Sequence, residues 1–127
     1  MEQRPTIFAS RTIHARTRTP SGFGEWHTST IKVGVVELCE HSDPYFRYCA
    51  ILNLDNQFGD MPIFGHDQIS TLISVMSRIS TYCDALAELG EVKLESGKMY
   101  DPELHGIAGQ CKRLASLAAS GPLLKTS

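Results

Sequence analysis

The chain predicts an α+β domain: an antiparallel β-meander of three to four strands packed on one long helix, with a second helix at the C-terminal end. Three observations carry this expectation. Up to about residue 64 the apolar residues recur with period two, as in Ile31-Lys32-Val33-Gly34-Val35 and Phe46-Arg47-Tyr48-Cys49-Ala50-Ile51-Leu52. At Gly65-His66-Asp67 the period changes, and Ile69, Leu72, Ile73, Met76, Ile79, Cys83 and Leu86 follow at helical spacing. Beyond Asp101, Leu104, Ile107, Ala108, Cys111, Leu114, Ala115 and Ala118 form a second helical stripe. A sheet with one apolar face followed by a helix with one apolar stripe packs as two layers.

The first strand covers Thr6 to Thr17. Ile7, Ala9, Ile13 and Ala15 line one face, and Phe8, Ser10, Thr12, His14 and Arg16 the other. Arg11 interrupts the apolar face, which suggests proximity to an edge. Thr19-Pro20-Ser21-Gly22-Phe23-Gly24 is a turn by composition, because Pro fixes φ and Gly supplies positive φ. The second strand covers about Thr30 to Glu40. Its apolar phase shifts from Ile31, Val33 and Val35 to Val36 and Leu38, so a bulge is expected near Gly34. The third runs from Tyr45 to Leu54 with Phe46, Tyr48, Ala50, Leu52 and Leu54 inward. Ile63-Phe64 adds a short edge strand after Pro62, where a missing N–H is tolerated.

Asp67 is the expected N-cap of the long helix, since its carboxylate can accept an orphan backbone N–H. That helix runs to about Leu89, with Gly90 as a left-handed stop. Leu72, Ile73, Met76 and Ile79 are expected in the core against Phe46, Tyr48 and Leu52. Val92–Leu94 and Lys98–Tyr100 flank Glu95-Ser96-Gly97 as a small hairpin. Asp101-Pro102-Glu103 starts the second helix: a cap, a Pro whose missing N–H costs nothing there, and an acid favoured by the helix dipole. Gly106 and Gly109 weaken it by roughly 1 kcal/mol each relative to Ala, so it needs tertiary contacts or a partner helix. Ser120-Gly121-Pro122 ends it, and 121–127 reads as a loose tail.

With 127 residues, 42% hydrophobic and 20% charged, the chain is expected to form a single domain, 1–127, with its core between about 6 and 120. A formal net charge of −2 implies no global field for nucleic acid or an anionic membrane. No apolar run approaches the roughly 20 residues that span a bilayer, and Met1 to Pro5 lacks a secretory apolar segment, so the expected location is cytoplasmic. Cys39, Cys49, Cys83 and Cys111 are widely spaced and read as free thiols packed as small hydrophobes.

The charge distribution is uneven. Residues 1–34 hold Arg4, Arg11, Arg16, Arg18 and Lys32 against Glu2 and Glu25, while 35–67 holds Arg47 against Glu37, Glu40, Asp43, Asp55, Asp60 and Asp67. Neither block carries a recognisable catalytic spacing. Cys39-Glu40-His41 with Asp43 offers metal-ligand types, but no second ligand pair follows, and no nucleophile–base pair is set up by it. His66-Asp67 could pair a base with its orienter, yet Asp67 is already explained as a cap. Ser21-Gly22-Phe23-Gly24 joins two strands and lacks the Lys-Ser/Thr of a phosphate loop. No cofactor and no metal are therefore expected.

Phe8-Ala9-Ser10-Arg11-Thr12-Ile13 as an opening strand, with Phe64-Gly65-His66-Asp67-Gln68-Ile69 as the entry to an apolar helix, resembles small uncharacterised bacterial meander-plus-helix domains. The resemblance covers Ile7 to about Leu89. Such folds are similar in size and organisation to bacterial immunity proteins and phage-encoded inhibitors, which implies work by occluding a partner. The second helix departs from that pattern and could serve oligomerisation, including a homodimer, or partner binding.

The expected function is a non-enzymatic protein-binding module of the immunity or inhibitor kind. Its partner would be another protein, such as a toxin or nuclease with a basic surface. Trp26 and Phe58 are the aromatic anchors expected at that interface, beside Glu37, Glu40, Asp43 and Asp60. Two alternatives compete: a small hydrolase-like enzyme with scattered His and carboxylate residues, and a nucleic-acid-binding module using Arg11, Arg16 and Arg18 with His14.

Overall fold

The computed structural model describes residues 6–55 and 58–120. It is α+β, with an antiparallel curled sheet, a long helix and a C-terminal helix. The strands are β1 (Ile7–Thr19), β2 (Gly22–Phe23), β3 (His27–Gly34), β4 (Glu37–Leu38), β5 (Tyr48–Asn53), β6 (Met61–Gly65) and β7 (Gly90–Leu94). Helix α1 spans Gln68–Leu89, α2 Pro102–His105 and α3 Ile107–Ser120. The hydrogen-bonded path is β2-β1-β3-β5-β4, with β6 on β5 and β7 on β1. The longer strands β1, β3, β5 and β6 thus form the meander, β2 and β4 pair with β1 and β5, and the chain then returns through α1 to pair β7 with β1.

The expected second strand is divided. β3 stops at Gly34, and β4 resumes the line beside β5, pairing Glu37 with Cys49. The bulge lies where the phase shift placed it, but the extra residue sits in the neighbouring strand. Ile7 faces Gly34 and Ala9 faces Val33, so Phe8 is unmatched and 63% exposed. The hairpin after α1 forms as read, with Tyr100 N–H donating to Val92 O at 2.8 Å. The pairing of β7 with β1 closes the sheet on that side and was not foreseeable from local pattern.

Gly90 is not a left-handed stop. Its φ is 179°, and it passes directly from α1 into β7. Glycine is needed there for close approach, because a Cβ would lie 2.9 Å from the Arg16 carbonyl carbon and 2.9 Å from Thr17 Cα. The second helix is broken as well. Gly106 separates α2 from α3, and the last residues, 121–127, lie outside the described set.

The core joins Ile13, Ile31, Val33, Ala50, Leu52 and Ile63 of the sheet to Val75, Ile79 and Cys83 of α1, with Val92 and Tyr100 at one side. This corrects the expected helix face. Ile79 is buried, but Ile73 and Met76 are 54% and 43% exposed, and Leu72 is only half-buried. The residues turned to the sheet are Thr71, Val75, Ile79 and Cys83. The helix entry sets this rotation. Asp67 Oδ1 accepts the Ser70 N–H at 2.6 Å, and Thr71 Oγ1 donates to Asp67 O at 2.7 Å. Thr71 packs where Gly65 has no side chain: a Cβ on Gly65 would stand 2.7 Å from Thr71 N. With Thr71 on the sheet, every fourth residue follows it.

The cap gives a pH dependence. The Ser70 N–H, and then the Ser70 side chain, hold the Asp67 carboxyl below its ordinary range. A depressed pKa contributes stability above the unfolded value, and that contribution is lost as pH falls through the folded value. Asp67→Ala is therefore expected to melt at a lower temperature than the parent at neutral pH. The two curves should converge as acid protonates the cap; a constant difference across the acid range would refute the assignment.

Candidate functional site

The outer face of the sheet is polar and internally engaged. Thr12, His14 and Arg16 of β1 oppose Thr30 and Thr28 of β3 on one side and Lys93 and Glu91 of β7 on the other. Arg16 Nε donates to Glu91 Oε1 at 2.7 Å. Its guanidinium also lies 4.3 Å from the Phe23 ring centroid and 4.5 Å from that of Trp26, while Lys93 Nζ lies 4.4 Å from Trp26. Trp26 is thus a stacking platform for two of the chain's own cations. Arg16 is committed to a carboxylate and two rings, which leaves it poorly placed to follow a phosphate backbone.

The six expected partner residues are spread over the fold. Trp26 stands beside the first residue of β3, and Glu37 lies beyond its last; eight residues of extended chain span roughly 26 Å. Glu40 and Asp43 occupy the β4–β5 connection, where Asp43 Oδ1 accepts the Tyr45 N–H. Asp60 is at the other end of β5, accepting from Asn53 Nδ2 at 2.9 Å. Phe58 is exposed and edge-on to Tyr82 of α1, with centroids 6.4 Å apart. The acidic residues therefore follow β5 and its connections, while Trp26 belongs to the β1–β7 side.

The other candidate clusters have local roles. His41 packs edge-on against Phe64 and Phe46 at centroid distances of 4.7 and 5.2 Å, and its Nδ1 accepts the Asp43 N–H. His66 reaches Tyr45, Ser70 and Asp67 at the exposed start of α1. Among the described residues no three His, Cys, Asp or Glu side chains gather as a metal site. Cys39 follows β4, its N–H donating to Arg47 O at 2.9 Å just ahead of β5, and burial pushes the Cys49 thiol up.

The surface that local pattern did not assign lies between α1 and α3. Its base is built firmly. Tyr100 Oη donates to Asp84 Oδ1 at 2.6 Å, and Ile107 N–H donates to Ser80 Oγ at 3.0 Å. Burial, with the Asp84 hydrogen bond, pushes the Tyr100 phenol above its ordinary range. From this anchor α3 runs outward, and every residue from Gln110 to Leu117 is exposed. The stripe that reads as a buried helix face in the sequence therefore has little of its own chain to pack on.

Between the two helices is a groove of about 320 Å³. Ile69, Ile73 and Met76 form its α1 wall, Ile107, Cys111 and Leu114 its α3 wall. Its floor includes Arg11. That residue sits on the inner face opposite Ile31, half-buried, with the Cys83 thiol of α1 nearby. Burial raises the Cys83 thiol, an effect the nearby Arg11 partly offsets. Among the described residues the ion pairs are Arg16–Glu91 and His66–Asp67, so no carboxylate pairs with Arg11. The break in the alternation at Arg11 and the unassigned stripe on the C-terminal helix were the sequence signals of this site.

No family model matches the chain, and neither a curated protein nor a solved structure does. The site is therefore read from its own geometry. An open apolar groove between a fixed helix and a projecting one, with the Arg11 guanidinium at its floor, can seat an amphipathic segment.

Proposed function

We propose that this chain is a non-enzymatic protein-binding module, cytoplasmic in location, that acts as an immunity or inhibitor protein by occluding a partner enzyme. The carrying observation is the uncovered apolar face. Ile69, Ile73 and Met76 are 66%, 54% and 43% exposed, and they face the equally exposed Leu114. Contiguous apolar surface of this kind marks protein contact sites, and helix-in-groove docking uses anchors at the same spacing. Among the described residues no helix is long and apolar enough to cross a membrane.

The test is affinity purification from the native host with the parent chain, with Ile73→Asp, and with Trp26→Ala. A partner enzyme captured by the parent and by Trp26→Ala, lost with Ile73→Asp, and inhibited by the purified parent chain supports this reading. Capture that survives Ile73→Asp and depends on Trp26 would return the interface to the outer face of the sheet. A captured enzyme whose activity is unchanged would remove the inhibitor role.

A further inference from the structure

We infer that the α1–α3 groove receives an acidic amphipathic helix of the partner protein, whose carboxylate pairs with Arg11. This rests on the docking reading above and names the chemistry of the docked segment. The first argument is charge. Among the described residues the groove lining contains Arg11 and His105 and no carboxylate. Glu37, Glu40, Asp43 and Asp60, from which a basic partner is expected, lie on other elements and are not among its lining residues.

The second argument is the state of Arg11. A guanidinium presents five donors, and half-burial on an apolar face removes part of its water. The nearby Cys83 thiol is at best a weak acceptor and would satisfy it poorly. A carboxylate arriving from a docked segment would accept two of those donors in a fork, the strongest pairing a guanidinium makes. His105 adds a neutral donor: its Nδ1 accepts the Asp101 N–H at 2.9 Å, which leaves the ring N–H on the other nitrogen.

The third argument selects against a second copy of this chain. A two-fold pairing would lay one α3 into the groove of the other. From Ile107 to Ser120 the helix carries Lys112 and Arg113 and no acidic residue. It would bring no carboxylate to Arg11 and would add its own positive charge to a positive groove. A segment with Leu or Ile at i, i+3, i+4 and i+7 and Glu or Asp on its flank meets both the walls and the floor.

The experiment uses the full chain and a displayed peptide library. Apolar residues are fixed at i, i+3, i+4 and i+7, and flanking positions vary among Glu, Gln and Lys. Enrichment of Glu flanks on the parent chain is expected, with a selected peptide losing about tenfold or more of its affinity for Arg11→Gln and less for Arg11→Lys, which keeps the charge but not the fork. Circular dichroism confirms that both variants are folded. Selection of Gln or Lys flanks, still abolished by Ile73→Asp, would overturn the acidic chemistry while leaving the docking reading in place. No enrichment over a library with scrambled apolar positions would overturn both. A parent chain that sediments as a dimer and becomes a monomer with Ile73→Asp would assign the groove to a second copy instead.

Discussion

Leu52→Ala is expected to lower the free energy of unfolding by about 2–5 kcal/mol, whereas Ile73→Ala should cost less than about 1 kcal/mol. Leu52 is 0% exposed and sits near the end of β5, with Val33 of β3 on one side and Met61 of β6 on the other. Truncation there removes buried methyl groups and leaves a cavity that a three-strand junction cannot collapse into. Ile73 is just as apolar but already meets solvent on α1, so its truncation changes little of the area removed from water. Chemical denaturation of both variants measures the contrast. Similar losses at the two sites would mean that α1 is rotated from the position described, and the groove would disappear with it.

The second large effect is expected at Gly65, where Gly65→Ala should cost about 1–3 kcal/mol or more. The added Cβ would meet the Thr71 side chain, and would also stand 2.7 and 2.8 Å from Thr71 N and Cα. Backbone of an α-helix cannot move aside as the end of a side chain can, so α1 must back away from β6 or turn. Either response disturbs Val75 and Ile79 behind it. Gly24→Ala is the control, since a Cβ there would find its nearest atom at an ordinary 3.7 Å, and its loss should stay below about 0.5 kcal/mol. Equal melting of the two variants would show that the Gly65–Thr71 contact does not set the helix rotation.

Much of the architecture was legible because it rests on local pattern. The meander, the capped start of α1 at Asp67 and the phase shift near Gly34 all follow from alternation, turn chemistry and capping. Asp101 caps α2 as expected, its Oδ1 accepting the Glu103 N–H at 3.0 Å. The choice of buried face on α1 did not follow. That helix is apolar on two sides, with Val75, Ile79 and Cys83 on one and Ile69, Ile73 and Met76 on the other. Counting apolar residues favoured the side richer in large aliphatics. The sheet took the side with smaller ones, because Thr71 fits against Gly65 and a bulkier residue would not.

The candidate site was legible only as an anomaly. Arg11 broke an otherwise apolar strand face, and the stripe on the C-terminal helix had no assigned partner. Their meeting across α1 depends on contacts between residues far apart in sequence: Ile107 with Ser80, Tyr100 with Asp84, and Arg11 with Cys83. The acidic and aromatic residues chosen as an interface are near one another in sequence, yet strands spread them along and across the sheet.

By itself the sequence determined the fold class, the order of the main elements and both ends of α1, because backbone propensity and hydrophobic period act over a few residues. The tertiary structure alone decided which face of α1 is buried, that β7 closes onto β1, and that α3 stands away with its apolar stripe uncovered. Those outcomes depend on how volumes fit between distant segments: Thr71 into the space at Gly65, and Gly90 against the backbone of β1. A period in the sequence shows that a face is apolar; the packing of the sheet decides which apolar face it covers and which one it leaves open for another molecule.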